Sequence, residues 1–377
     1  MRVECGAMNS SQHRVWHVVT LLVGLMVGPG LLGSLPAQAA IYELTDPNMQ
    51  VVGDDLHIQT HYSDTLVEIA RQYGLGYEEV ARANPKVDPW LPGEGTQIMI
   101  PGRHILPPGP RDGIVVNIPE HRLYYFPKPL RGHKPIVVTY PVSIGKMDWK
   151  TPLGLTHVVS KQKNPSWNPP ASVRAEHLAN GDPLPGGAIG PGPDNPLGLF
   201  AMRLAVPPGD YLIHGTNNPL AVGMAVTHGC IRMYPEDVAA IFPTVPVGTK
   251  VYLINVPVKV AFVDGTLLLE AHPPVDAQGQ SIDPVLSQFE ELLTQALGTT
   301  TTAVNWDIAV DTLKKADGIP VLVGLQADVD PGSPAPGSPP PAPPPAPAQT
   351  PPPAPTTTTQ AAPPPPNASD TGRWVTQ

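Results

Sequence analysis

"YLIHGTNNPLAVGMAVTHGCIRMYPEDV", residues 211–238, sets Cys230, one of only two cysteines in a 377-residue chain, among His214, His228, Gly229 and Arg232. A thiol of ordinary pKa, ~8.5, is only slightly ionised at neutral pH, so a nucleophilic cysteine needs a base or a positive field beside it. His214 closes the short apolar run YLIH, read as a strand, and stands 16 residues before the cysteine (230 − 214). That spacing lets two elements of one sheet bring the pair together. His228 precedes Cys230 by two residues, so in an extended segment their side chains share a face. Gly229 lets backbone approach closely, and a turn here exposes the amides of His228, Gly229 and Cys230 to a developing oxyanion. His214, His228 and Cys230 also offer three donors to zinc, but without the close paired spacings of common zinc sites, and metal would occupy the thiolate. A disulfide-exchange role lacks its partner cysteine, and an inert buried thiol does not account for the polar flanks. Acyl transfer is the chemistry that fits the stretch best, and it calls for no cofactor.

The second cysteine, Cys5, lies in a stretch ordered like an export signal: a basic start, an apolar core over Val18–Leu32 and a small-residue exit at Ala37-Gln38-Ala39. Gly24, Gly28, Pro29 and Gly30 interrupt that core, which falls short of the ~20 apolar residues a membrane span needs. Cleavage after Ala39 would remove residues 1–39 and leave Cys230 as a lone thiol in a compartment where thiols oxidise. An unpaired exported cysteine among polar and glycine neighbours reads as a reactive group. At the other end, residues 330–377 are dominated by Pro, Ala and Thr. Such a segment buries too little apolar surface to offset its ordering entropy, and a disordered, polyproline-II-leaning tail is expected. The formal net charge of −9 argues against a nucleic-acid partner.

From Gly113 onward, short apolar runs follow one another with turn signals between them: GIVVNI and RLYYF joined by PEH as a hairpin, then PIVVTYPVSIG, GLTHVVS, YLIH and GTKVYLINVPVKVAFVDGTLLLEAH. These predict a mainly β domain over 113–256 with short helices. One helix is marked by Pro235 in its first turn and by Glu236 and Asp237 near its positive end. Lys163–Phe200 is too rich in Pro, Gly and Asn to be regular throughout and is placed as a lid over the site. Residues 257–325 are read as a small helical appendix. Val285, Leu286, Phe289, Leu292 and Leu293 form one face of a helix begun at Asp283-Pro284 and ended by Gly298, and another helix covers Asp307–Ala316.

Residues 57–102 carry a different pattern, a small βααβ unit. Leu66, Ile69, Ala70 and Tyr73 follow the spacing of one buried helical face, Thr65 and Glu68 fit a capping box, and Gly74 supplies the stop. A second short helix runs through Val80 to Asn84, and strands are expected at His57–Tyr62 and Gln97–Ile100. In SDTLVEIARQYG, ANP and the closing GTQIMIP the segment resembles a LysM module. The resemblance implies binding of N-acetylglucosamine-containing glycan in a groove walled by Ser63, Asp64, Thr65, Asn84 and Pro85. A packing domain that has lost its ligand is the other reading of the same residues.

HGTNNPLAVGMAVTHGCIRM resembles the signature of the YkuD-type L,D-transpeptidases, and TPLG, NPSWNPP and GPGPDNPLG are similar to the periplasmic, enterobacterial-type members. The resemblance implies a YkuD-like β-sandwich or barrel acting on peptidoglycan. Cys230 would attack the third residue of a tetrapeptide stem, expel D-alanine and form a thioester. An amine would then resolve it, from diaminopimelate for a 3-3 crosslink or from a lipoprotein lysine for wall attachment. His214 would be the base, oriented by the Gly215 carbonyl. His228 and Gly229 would lie on the oxyanion and substrate side, with Thr227 supporting the loop. Arg232 would hold a substrate carboxylate or pair with Glu236 or Asp237, and Trp167 would line the peptide cleft or sit buried under the lid. Hydrolysis by the same cysteine and a non-catalytic, wall-binding protein are the alternatives.

Overall fold

The computed structural model describes residues 40–146, 151–207, 211–274, 283–297 and 302–326. The expected signal segment, with Cys5, and the Pro-rich tail lie outside the described residues. Nine strands form one sheet in the order Ala40–Glu43, Ile136–Pro141, Arg122–Phe126, Gly113–Asn117, Lys250–Ile254, Gly154–Lys163, Phe200–Leu204, Leu212–His214 and Ile231–Arg232. The described helices are α1 (Leu66–Gln72), α2 (Tyr77–Ala83), α3 (Ala171–Ala179), α4 (Pro235–Ile241), α5 (Asp283–Leu297) and α6 (Trp306–Lys315).

GIVVN and RLYYF pair as the expected hairpin, from Gly113↔Phe126 to Asn117↔Arg122. Every residue of both strands is buried, because both sheet faces are covered. Ile114, Val116 and Leu123 pack with Val158, Met202, Ile213, Ile231 and the α4 residues Val238 and Ile241 on one face. Val115, Tyr124 and Phe126 pack against Leu44, Val52 and Leu106 on the other. The strand Gly154–Lys163 shifts register between Val158 and Ser160, and a bulge of this kind bends a sheet. The sheet curls there, so strands from both of its ends contribute to the core around α4.

The βααβ unit forms over Leu56–Ile100, with its strands paired from Leu56↔Ile100 to Gln59↔Gln97. Leu66, Ile69 and Ala70 are buried with Val80, Ile98 and Ile100, and Tyr73 packs against them. Thr65 accepts the Glu68 amide at 3.2 Å. The Glu68 carboxylate takes the Thr65 hydroxyl at 2.9 Å rather than the Thr65 amide of a full capping box. Gly74, at φ +66°, ends α1, with Leu75 N–H donating to the Ala70 carbonyl at 2.8 Å and Gly74 N–H to that of Arg71 at 3.2 Å, the Schellman pattern.

Two boundaries differ from the sequence reading. Ala40–Glu43 pairs with Ile136–Thr139 as an edge strand of the large sheet, so the β domain begins before the βααβ unit, not at Gly113. The unit is an insertion, and its entry and exit are joined by the pairs Val51↔Ile105 and Val52↔His104. The expected helical appendix is α/β. Val258–Val263, Thr266–Ala271, Val321–Gln326 and Thr302–Val304 form a four-stranded sheet, against which Val285, Phe289 and Leu293 of α5 and Ala309 and Leu313 of α6 are buried. The strands at 302–304 and 321–326 are too short and too similar to buried helix ends for periodicity to separate them.

Candidate active site

Leu212–His214 and Ile231–Arg232 pair in parallel, with Ile213 opposite Ile231 and His214 opposite Arg232. Alternation along a strand puts Arg232 beside His214, and Cys230, two residues earlier, on the same face diagonally across from the imidazole. The electrostatics agree, because Arg232 interacts with His214 and with the Cys230 sulfur. Cys230, the one cysteine among the described residues, forms no disulfide and is half-buried.

The His214 ring is buried, and its Nδ1–H donates to the Gly215 carbonyl at 2.6 Å. A carbonyl can only accept, so this bond fixes the tautomer that leaves Nε2 as the basic nitrogen. Burial first, and the Arg232 cation second, hold the imidazole down at about 3. It is neutral at working pH and able to take a proton. Position 215 is tightly packed. A side-chain carbon there would meet Val238 Cγ1 at 3.0 Å and the Leu197 carbonyl at 3.3 Å, because the end of the lid packs directly on the Gly215–Thr216 backbone.

Thr227 shapes the turn at Cys230. Its hydroxyl donates to the Cys230 carbonyl at 2.6 Å and accepts the Gly229 amide at 3.2 Å. Gly229 sits at φ +98°, a conformation L side chains rarely adopt. Its amide is engaged within the turn by the Thr227 hydroxyl.

His228 contacts the expected lid. Its Nε2–H donates to Glu176 Oε2 at 2.5 Å, and Lys146 Nζ reaches Glu176 Oε1 at 2.5 Å. These two bonds pull the Glu176 carboxyl down to about 2. Glu176 belongs to α3 within the expected lid, so the lid is tied to the nucleophile turn through a residue that sequence reasoning did not single out. No motif marks it, and its only signal is a short helical run, ASVRAEHLA, inside a Pro- and Gly-rich stretch. Asn195 braces the same lid, donating to the Pro165 carbonyl at 2.7 Å and that of Gly190 at 3.1 Å. Trp167 is half-buried, and its backbone bridges to Ile189.

Arg232 does not pair with Glu236 or Asp237. Glu236 holds Arg71 instead, at 2.7 and 2.9 Å, and Arg232 Nε is buried with no hydrogen-bond partner among the described residues. An orphaned cationic donor beside the cysteine is suited to a carboxylate.

Of the glycan-groove residues, Ser63 and Pro85 are exposed and Asp64 and Thr65 half-buried. Asn84 is buried. Its amide donates to the Val80 and Met99 carbonyls and accepts the Met99 amide, each at 2.8 Å. It is an internal clamp between α2 and the closing strand, not a groove wall.

Elsewhere, His104, Glu120 and Glu270 bring ligand atoms within 4.8 Å of one another. Lys259 Nζ already lies 2.9 Å from Glu120 and 2.6 Å from Glu270, so an ammonium occupies the position a cation would take.

Residues 111–253 match the YkuD family, described as the L,D-transpeptidase catalytic domain. Over 246 residues the chain is 42% identical to Probable L,D-transpeptidase YcfS of Escherichia coli, spanning 64% of this chain and 75% of that protein. It is 37% identical to Probable L,D-transpeptidase YbiS of the same organism over 296 residues, spanning 76% of this chain and 92% of that one. Among solved structures, L,D-transpeptidase 3 of Mycobacterium tuberculosis aligns over 44% of this chain and 67% of its own at 20% identity, with a TM-score of 0.27, too low to carry an argument.

Proposed function

The chain belongs to the YkuD-type L,D-transpeptidases and is an enzyme of that kind, and from this premise we propose that Cys230 acylates itself on peptidoglycan tetrapeptide stems and passes the acyl group to an amine. The observation that carries the reading is the shared face of His214, Arg232 and Cys230, with a neutral imidazole whose tautomer is fixed by Gly215.

In acylation, the Cys230 sulfur attacks the carbonyl carbon of the third stem residue while His214 Nε2 takes the thiol proton. The Arg232 cation attracts the anionic sulfur and disfavours an imidazolium in the resting site. As the bond to D-alanine breaks, His214 returns the proton to the leaving amine, and a thioester remains. An acceptor amine then attacks the thioester, giving an amide and restoring the thiol. Arg232, whose charge acts on the Cys230 sulfur, is the candidate cation for a stem carboxylate. A diaminopimelate amine as acceptor yields a 3-3 crosslink, and a lipoprotein lysine yields a wall-anchored protein.

Residues 1–39 are proposed to direct export to the periplasm, where this substrate is found. The exposed residues Ser63 and Pro85, with Asp64 and Thr65, are proposed to grip the glycan strand. The test is mass spectrometry of the muropeptides formed when the purified protein is incubated with tetrapeptide-rich peptidoglycan. Crosslinked dimers joined at two third residues support transfer, whereas accumulation of tripeptide stems alone identifies a hydrolase.

A further inference from the structure

The βααβ unit is built into the catalytic fold rather than tethered to it. Both of its ends pass through the paired neck Val51↔Ile105 and Val52↔His104. Glu79 of α2 uses one carboxylate oxygen to cap its own helix at the Gly76 amide, 2.6 Å away. It uses the other to bind Arg122 of the central sheet at 2.6 and 3.0 Å, and both side chains are buried. Arg71 of α1 forks onto Glu236 of α4, and Tyr234 donates to the Leu75 carbonyl at 3.1 Å.

The closest approach falls on the segment that leads to the cysteine. Gly76 and Gly223 meet backbone to backbone, such that a carbon added to Gly76 would lie 2.7 Å from Gly223 Cα. Tyr77 N–H donates to the Val222 carbonyl at 3.2 Å, and His121 Nδ1 lies 3.0 Å from the Gly223 carbonyl. From this dock the chain runs straight into Ala225–Thr227, paired with Ile144–Gly145, and so into the Thr227 hydroxyl that shapes the cysteine turn.

We propose that this dock positions the nucleophile turn, so that the βααβ unit supports acylation of stem peptides that carry no glycan at all. Gly76 and Arg71 are then positioning residues acting through the 222–227 segment. A unit serving only as a glycan grip would matter for polymeric wall and not for a soluble peptide. The inference rests on the reading of Cys230 as the acylated nucleophile.

The test uses the full chain and a soluble tetrapeptide stem. Gly76→Ala is compatible with the local backbone, φ −84° and ψ 154°, yet its methyl wedges the unit away from Gly223. Arg71→Gln loosens the same dock from its half-exposed side. Displacement of catalytic groups by about 1 Å costs up to a hundredfold. The expected result for Gly76→Ala is a fall in kcat for D-alanine release of about tenfold to a hundredfold, with KM little changed and retention on insoluble peptidoglycan preserved. Arg71→Gln should shift kcat the same way by a smaller factor, and it decides the matter if Gly76→Ala does not fold. Wild-type kcat on the soluble peptide in the folded variants overturns the inference. A wild-type protein that forms no thioester fails the underlying reading instead, and the two failures are distinguished by assaying the wild type first.

Discussion

Glu176, on the helix of the lid, accepts a 2.5 Å hydrogen bond from His228, two residues before the cysteine. The lid and the nucleophile turn are thereby joined by a charge-assisted contact, reinforced by Lys146 on the other carboxylate oxygen. Such bonds are stronger than neutral ones and fix geometry as well as energy. Glu176→Gln keeps the shape and removes the charge, so the lid should close less firmly over bound peptide. Steady-state kinetics on a soluble tetrapeptide should show KM raised by about three- to tenfold, with a weakened response to added salt. Unchanged KM and unchanged salt dependence would mean that the contact does not hold the lid during catalysis.

As the proposed base, His214 would set the acid side of the pH profile. Only the neutral imidazole accepts the thiol proton, so acylation is lost as pH falls through the pKa of that ring. Burial and Arg232 hold it at about 3, and kcat/KM should therefore show no loss due to this group between pH 7 and pH 5. An imidazole at its ordinary pKa would cost about 25-fold over that interval. His214→Gln should lower acylation by about 10²–10⁴ at every pH. An inflection near 6.5 that vanishes in this variant would show that the ring is solvated in the working enzyme.

Much of this was legible beforehand because it depends on local pattern. The βααβ unit could be read from Leu66, Ile69, Ala70 and Gly74, whose spacing states a helix face and its stop. The grouping of His214, Gly215, Thr227 and Cys230 is likewise carried by one short stretch. What sequence hid is long-range pairing: Ala40–Glu43 joining Ile136–Thr139, and Glu79 meeting Arg122 across 43 residues. The residue type of Asn84 suits ligand binding, yet its amide is consumed internally. Nothing local to Glu176 distinguishes an acid that contacts His228 from one that faces solvent.

Lys259 balances two buried acids, Glu120 and Glu270, where the C-terminal subdomain meets the catalytic sheet. His272 Nε2 adds a third contact, 2.7 Å from Glu270. Removing one partner of a buried charged set leaves the others uncompensated, a loss of about 3–5 kcal/mol. Lys259→Met should cost stability on that scale in denaturant unfolding. A loss below about 1 kcal/mol, the range of an exposed pair, would mean that water reaches the cluster.

Asp237 is buried with one carboxylate oxygen unpartnered, and burial, aided by the charge of Glu236, raises it to about 8. Its folded pKa lies above the unfolded value. Between roughly pH 4 and 8 the native state holds a proton that the unfolded chain has lost, and stability falls as pH rises through that window. Asp237→Asn carries no titrating proton. The melting temperature of the variant should decline less between pH 5 and pH 8 than that of the wild type. Parallel curves for the two proteins would show that Asp237 is ionised in the fold.

In the proposed reaction the sulfur of Cys230 carries the acyl group. Mass spectrometry of the intact protein after brief exposure to a soluble tetrapeptide stem tests it directly. The expected result is an adduct of substrate mass less D-alanine, mapped to the peptide containing Cys230, and its disappearance together with D-alanine release in Cys230→Ala. Release of D-alanine by Cys230→Ala at the wild-type rate would contradict it.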